Sequence, residues 1–232
     1  MNLNDIFSAY SHSYIVSKEL RRIESFCAIL SPNKIFIMKT IITTLLIALT
    51  VSFATAQTYT LDKNHTKIGF SATHFGISHV EGQFKVVNAV LDSKKEDLTD
   101  AKVEMTAEVK SIDTDNDKRD DDLRSENWFN AEKYPDLTFK STSFKKVSGK
   151  DYKLSGNITI KGVTKPITFD VVYNGKATNP MSKKTMLGFT ITGKLNRKDF
   201  GVGEGGASSV VGDEIELRSN AEFTLEQEVA TH

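Results

Sequence analysis

Cysteine is almost absent from this sequence. Cys27 is the only one among 232 residues, and it precedes the part of the chain that we expect to remain after processing. Disulfide bonds, a thiolate nucleophile and zinc–cysteine sites are therefore excluded from residues 57–232. No cysteine follows the apolar segment near residue 50, so the cleavage motif of a lipoprotein is missing as well.

An excess of basic charge is also absent. Lys and Arg total 30 and Asp and Glu total 30, and residues 57–232 keep 25 basic and 27 acidic side chains. A net charge near −2 argues against nucleic-acid binding through a broad basic surface. The hydrophobic share of 39% and the charged share of 26% are those of an ordinary globular protein.

The chain has no apolar run long enough to span a bilayer. The longest run, residues 41–53, is shorter than the roughly 20 residues of a spanning helix. It follows Met38-Lys39 and precedes Ala54-Thr55-Ala56, an arrangement that predicts a secretory signal over residues 38–56, cleaved before Gln57. Residues 1–37 then reflect a start codon assigned too early or, alternatively, an extended leader. We expect one domain, residues 57–232, with no membrane span, in the periplasm or secreted.

What the chain does have is alternation of apolar and polar residues. Residues 101–110 place Ala, Val, Met, Ala and Val on one side and Lys, Glu, Thr, Glu and Lys on the other, which is typical of a strand with one wet face. Seven more segments have the same period of two, and one of them changes parity at a bulge predicted at Val86-Val87. These segments lie within residues 66–75, 80–91, 137–139, 152–160, 167–173, 187–195 and 215–225.

Eight strands joined by short polar turns predict an all-β fold with antiparallel neighbours. Such strands stack as a sandwich or close into a barrel. Closure removes exposed edges, and an eight-stranded barrel can hold one small ligand, as lipocalins do. The inward sets mix phenylalanines with small residues such as Gly82, Gly156 and Gly193. A cavity tolerates that mixture, although these glycines equally fit strand bends.

One acidic stretch interrupts the alternation. Residues 112–130 read IDTDNDKRDDDLRSENWFN and contain the only tryptophan. The spacing of Asp113, Asp115 and Asp117 suggests a calcium loop, but Lys118 replaces the required glycine and Arg124 the required glutamate. The segment instead favours a short helix near residues 117–130, capped by Asn116 or Asp117, with solvated carboxylates at its positive end.

No catalytic constellation follows from the remaining residues. His74 and His79 flank a predicted turn and could form a two-histidine metal site, but spacing supplies no third ligand, so we expect no metal. The glycine-rich run 201–209 matches neither a phosphate loop nor a nucleophile elbow. We therefore expect neither catalytic residues nor a cofactor.

Seven stretches in order, covering essentially residues 58–227, resemble the YceI-like polyisoprenoid-binding proteins. They are YTLD at 59–62 with NHT at 64–66, FSATHFG at 70–76, GQF at 82–84, SIDT at 111–114 with residues 119–130, YPDLTFKST at 134–142, GNITIKGVTKP at 156–166 and NRKDFGV at 196–202.

The resemblance implies a lipocalin-like barrel whose interior binds a long amphiphilic chain, such as a polyisoprenoid or a fatty-acyl derivative. It also implies a homodimer in a bacterial periplasm. The side chains that we expect to line the cavity are Phe70, Phe84, Leu123, Trp128, Phe129, Phe139, Phe169 and Phe189. Those expected to meet the head group at the mouth are His74, Arg119, Asp120, Asn196 and Arg197.

Three functions fit these observations. The first is a lipid-binding protein that carries or sequesters its lipid or has a role related to stress. The second is a stress protein whose barrel is structural and whose activity is binding a partner or a second copy. The third is an enzyme acting on an isoprenoid, using His74 with a carboxylate at the mouth.

Overall fold

The computed structural model describes residues 56–204 and 210–226. Residues 1–55, which contain the segment before the predicted signal and all of that signal except Ala56, lie outside the described residues. So do residues 205–209 of the glycine-rich run and the last six residues.

Eleven strands and one α-helix, α1, build the described part of the chain. The strands are β1 Gln57–Leu61, β2 Lys67–His74, β3 Ser78–Phe84, β4 Val87–Ser93, β5 Lys102–Glu108, β6 Ile112–Asp113, β7 Asp136–Ser148, β8 Asp151–Ile160, β9 Val163–Thr178, β10 Thr185–Asn196 and β11 Val211–Leu225. Helix α1 is Asp117–Arg124, and short 3₁₀ turns occupy Val109–Ser111 and Arg197–Phe200.

The sheet closes on itself. The pairs β1/β2, β3/β4 and β5/β6 each form one long strand with a break, because β1 pairs with β4, β2 with β3, and β3 with β6. The ring continues antiparallel through β7, β8, β9 and β10 to β11, which pairs with β2 along its first part and with β1 near its end. The result is the predicted eight-stranded antiparallel barrel. Strand β1 was not among the predicted segments.

The predicted change of parity occurs where β3 passes into β4. Phe84 ends β3 and Val87 begins β4, and Val86 points outward, 44% exposed, while Val87 is buried. Ser111 binds the two amides of the break: its carbonyl accepts from the Lys85 N–H at 3.1 Å and its hydroxyl from the Val86 N–H at 3.0 Å. Both amides therefore have hydrogen-bond acceptors even though regular strand pairing is interrupted at this point.

Helix α1 begins as the acidic stretch predicts. The side chain of Asn116 caps the helix by accepting from the Arg119 N–H at 3.0 Å. The expectation that its carboxylates are solvated is wrong for Asp120, which is 3% exposed. Its Oδ1 accepts from both the N–H and the hydroxyl of Thr114, at 2.9 and 2.6 Å, and these bonds replace its contact with water.

One end of the barrel is filled by aromatic rings. Phe144 stacks on Tyr152 with 4.9 Å between ring centroids, and Phe189 meets Phe144 and Phe223 edge-on at 6.4 and 5.9 Å. All four side chains are at most 4% exposed. We call this the packed end; its loops are residues 94–101, 149–150 and 179–184.

Candidate functional site: a cavity at the other end of the barrel

The opposite end of the barrel is hollow. A cavity of about 450 Å³ lies between the strands, within the usual size range for small-molecule sites. Phe223 lines it and also packs on Phe189, so it forms part of the floor. The apolar walls include Leu61, Ile68, Phe70, Val80, Phe84, Ala89, Val103, Met105, Leu137, Phe139, Leu154, Ile158, Phe169, Ile191, Leu195, Ile215 and Leu217.

Two wall phenylalanines lie over glycines of neighbouring strands. Phe70 faces Gly82 across the β2–β3 ladder, and a Cβ added to Gly82 would lie 2.3 Å from its ring. A Cβ on Gly193 would likewise lie 2.6 Å from the ring of Phe169. These inward glycines make room for the aromatic rings that form the wall. Of the two interpretations, a cavity or strand bends, the structure supports the cavity.

The loops at this end form the mouth. They are residues 75–77, 114–135, 161–162 and 197–210, of which 205–209 lie outside the described residues. The last turn of α1 places Leu123 on the cavity and the segment after it adds Trp128 and Phe129. Phe129 meets Phe84 edge-on at 6.1 Å. The break in alternation thus supplies apolar side chains to the mouth.

Arg197 holds the mouth together. Its guanidinium is 3% exposed and donates to five oxygens: the carbonyls of Val202, Gly203, Val211 and Gly212, and Oδ1 of Asp213 at 2.7 Å. Its plane also lies 5.6 Å from the Trp128 ring centre. Since a guanidinium has five N–H groups, Arg197 joins the loop after β10 to the start of β11 and has no donor left for a head group.

Gly203 makes this packing possible. A Cβ there would lie 2.7 Å from both Trp128 and Arg197, and its φ of +67° is in the left-handed region. Only glycine satisfies both demands.

Arg119, also at the mouth, is less buried than Arg197, and its side chain bonds to a single residue. Its Nε and Nη2 donate to the hydroxyl and the carbonyl of Thr114, at 2.7 and 2.6 Å, and Asp120 holds Thr114 from the other side. Arg119 lines the cavity and is half-buried. Asp120 thus acts on the mouth through Thr114 and not through the cavity.

Most of the predicted site residues lie where the sequence places them. The structure puts on the cavity wall or at its mouth Phe70, Phe84, Leu123, Trp128, Phe129, Phe139, Phe169, His74, Arg119 and Arg197. Three differ: Phe189 lies in the packed end, Asp120 is buried beneath the mouth, and Asn196 caps a 3₁₀ turn by accepting from the Lys198 N–H. Whether any of them binds a ligand stays a prediction.

Sequence reasoning named few of the aliphatic side chains of the wall. Ile68, Ile191, Leu195, Ile215 and Leu217 all face the cavity. Their signal was the alternation itself, which placed them inward without showing that they border a hollow.

The group of three potential metal ligands found among the described residues includes neither His74 nor His79. His74 lines the cavity and its ring lies against Phe75, with 4.4 Å between the ring centres. The three residues of that group, Asp62, His65 and Glu222, place one atom each within 4.8 Å of the others. They lie on the outer wall, because Glu222 alternates with the inward Ala221 and Phe223.

None of the helices in residues 56–204 and 210–226 combines the length and apolar character needed to cross a membrane.

Known structures share this architecture. A crystallised YCEI protein of Campylobacter jejuni is 33% identical, with a TM-score of 0.59, covering 67% of this chain and 90% of its own. BcnA of Burkholderia cenocepacia is 24% identical with a TM-score of 0.64, over 70% of this chain and 98% of its own. A polyisoprenoid binding domain from Saccharophagus degradans is 12% identical with a TM-score of 0.55, over 72% and 98%. The last two show the shared fold alone.

Sequence comparison gives the family. A UPF0312 protein of Staphylococcus epidermidis is 34% identical over 172 residues, which cover 72% of this chain and 98% of the relative. The family model of the YceI-like domain matches residues 59–223, nearly the whole barrel. The chain therefore belongs to the YceI-like domain family.

Proposed function

We propose that this protein binds one long-chain amphiphilic lipid, of polyisoprenoid or fatty-acyl type, with the chain in the cavity and the head group at the mouth. The observation that carries the proposal is the apolar cavity of about 450 Å³ bounded by aromatic and aliphatic side chains. The fold shared with a polyisoprenoid binding domain supports it.

The size of the cavity sets how much chain it can enclose. A cavity of about 450 Å³ encloses a chain of limited length. Burial of about twelve methylenes at about 0.8 kcal/mol each is worth about 10 kcal/mol before the costs of ordering. Affinity should therefore rise with chain length and level off once the chain fills the cavity, with longer chains protruding from the mouth.

Native mass spectrometry of protein purified gently from its own source tests the proposal. We expect an added mass that organic solvent removes and that tandem fragmentation identifies as a lipid. Ser219→Phe is the matched blocking variant, because Ser219 lines the cavity between Ile68 and Ile191, and a phenyl ring there takes up part of the space that a chain would occupy. A native protein without added mass, and no uptake of fatty acids by the empty protein, would contradict the proposal.

The described mouth does not favour an enzyme. His74 donates no hydrogen bond to a carboxylate within residues 56–204 and 210–226, and a general base ordinarily has such an orienting partner. Binding without turnover accounts for the geometry, and the expected role is carriage or sequestration of lipid.

We further propose that the protein works after export, in the periplasm or outside the cell, as a homodimer. The support for export is the sequence of residues 38–56, and the support for the dimer is the resemblance to the family. The intact mass of the protein from its source should correspond to a chain that begins at Gln57. Light scattering after gel filtration should give twice that mass. A monomeric mass would contradict the proposed dimer but not the proposed lipid binding.

A further inference from the structure

The turn between β2 and β3 exposes two apolar side chains at the cavity mouth. Phe75 is 59% exposed and Ile77 is 86% exposed. Residues 74–79 read HFGISH and contain no Lys, Arg, Asp or Glu. We call residues 75–77 the mouth turn.

The backbone of the mouth turn is unusual for its sequence. The Ile77 N–H donates to the His74 carbonyl at 3.1 Å, and both Phe75 and Gly76 are left-handed, with φ of +50° and +71°. This is a type I′ turn, whose first central position favours Asn or Asp. A bulky residue in that conformation is a genuine outlier. Phe75 therefore occupies a position that neither burial nor local conformation explains.

The mouth turn lies on the rim of the cavity. Thr73 and His74, just before it, line the cavity. The Phe75 N–H donates to the carbonyl of Val210 at 2.7 Å, and Val210 lines the cavity as well. The backbone of Phe75 is thus bonded to a residue of the cavity wall, and its exposed ring lies at the mouth.

We propose that the mouth turn inserts into the interfacial region of a lipid bilayer, so that a lipid passes between the membrane and the cavity without crossing water. The inference rests on the proposed lipid binding. An apolar chain leaves a bilayer for water only at the cost of about 0.8 kcal/mol per methylene, and a mouth pressed against the membrane avoids that step. Aromatic side chains favour this interfacial depth. A turn that contains no Lys, Arg, Asp or Glu inserts without desolvating a carboxylate or an ammonium group.

Strained residues persist where function demands them. A variant that relieves the strain at Phe75 can therefore separate a functional role from a structural one. Phe75→Asn suits the left-handed turn better than phenylalanine does, so the protein should unfold at the same temperature or higher. The same change removes the phenyl ring from the apolar surface that meets the membrane and leaves Ile77 in place. Ile77→Ser is a second variant that leaves the strained position intact.

The matched control comes from the packed end. Met181 is 90% exposed in the loop between β9 and β10, at the far end of the barrel from the cavity. Met181→Ser removes as much exposed apolar surface without touching the mouth.

The experiment uses the protein in its proposed exported form, which begins at Gln57, loaded with a fluorescent fatty acid and then mixed with phosphatidylcholine vesicles. Transfer to the vesicles should speed up in proportion to vesicle concentration, and flotation should carry protein with the vesicles. Phe75→Asn and Ile77→Ser should each lower both by about tenfold, the worth of burying one such side chain. Met181→Ser should behave as the unchanged protein does.

Transfer that is independent of vesicle concentration and equal in all variants would overturn the inference, since the ligand would then pass through water. An equal loss of transfer and flotation in Met181→Ser would also overturn the inference, because it would show nonspecific hydrophobic adsorption of the protein to the vesicles. If instead no fatty acid loads into any variant, the proposed function fails, which loading before vesicles are added reveals separately.

Discussion

The packed end and the hollow end of this barrel are built from the same strands but are filled in different ways. At the packed end, Phe144, Tyr152 and Phe189 interlock, each 3% exposed. At the hollow end, wall side chains such as Ile68 and Leu217 remain only half-buried around about 450 Å³ of space. The packed end buries its apolar surface against protein, whereas the hollow end leaves part of that surface facing the cavity.

The difference shows how a protein can keep a cavity open. A hollow gives up the dispersion contacts and burial that stabilise a core. The mouth instead is ordered by cationic side chains bonded to backbone carbonyls: Arg197 to four of them, Arg124 to those of Lys110 and Ile112, and Lys161 to those of Glu126 and Gly201. Hydrogen bonds to charged groups are the stronger ones, and they lie around the rim where they do not fill the space.

The largest expected effect comes from removing one phenylalanine at each end. Phe189→Ala should lower the free energy of unfolding by about 3–5 kcal/mol, as for other large-to-small core changes. Phe70→Ala, on a wall that already borders a hollow, should cost less than half of that and should weaken lipid retention more. Urea unfolding and native mass spectrometry of both variants check the contrast. Equal losses of stability would show that the hollow end is as tightly packed as the other.

Arg197→Lys should have the next largest effect. An ammonium has three donors in place of five, so at least two charge-assisted bonds are lost, each worth about 1.5–3 kcal/mol. We expect a loss of about 3 kcal/mol in unfolding free energy, which is two bonds at the lower end of that range, and faster hydrogen exchange in residues 197–204. Lys153→Ala is the control, because its ion pair with Asp170 is exposed and such pairs contribute little. Exchange that speeds up equally at the packed end would deny Arg197 a local role.

Gly82→Ala tests whether glycines shape the wall. The new Cβ would lie 2.3 Å from the Phe70 ring and 2.8 Å from Thr114 Cγ2, so the ring must move into the cavity, at a cost of about 1–3 kcal/mol. Gly188→Ala is the matched control, since its Cβ would meet nothing nearer than 3.6 Å. Thermal unfolding and fatty-acid uptake should fall for the first and not for the second. Equal behaviour of the two would show that Phe70 does not depend on Gly82.

The contrast between the two ends also explains what the sequence could predict. The alternation of apolar and polar residues predicts which side chains point inward. It placed Phe70, Phe84 and Phe189 inside the barrel correctly. It does not state their height along the barrel axis, which depends on register between strands far apart in sequence. Phe189 was therefore assigned to the cavity wall, although it packs against Phe144, 45 residues earlier in the chain.

The mouth was harder to predict because its contacts are not periodic. The helix cap at Asn116 is a local signal and was found. Burial of Asp120 depends on Thr114, and three of the five bonds of Arg197 depend on the chain returning at residues 211–213. Strand β1 was missed because five residues, Gln57–Leu61, give too few alternations to be distinguished from the end of a signal.

The smallest expected effect lies at the junction of the two ends, where β11 changes partner from β2 to β1. There the Nδ1 of His65 lies 2.9 Å from Oδ2 of Asp62. The hydrogen bond to Asp62 and its charge raise the pKa of His65, and the same bond chiefly lowers the pKa of Asp62. The histidine contributes fully below its unfolded pKa of about 6.5, and its contribution is lost as pH rises through the raised value.

The carboxylate contributes above its unfolded pKa and loses its effect as pH falls through the lowered one. His65→Ala should therefore flatten the change of the urea midpoint with pH, chiefly on the alkaline side of pH 6.5, with Trp128 fluorescence as the readout. The shift is small because the pair is exposed to water. His79→Ala, in another exposed histidine, should leave the profile unchanged; if it flattens the profile as much as His65→Ala does, the junction contributes no pH dependence of its own.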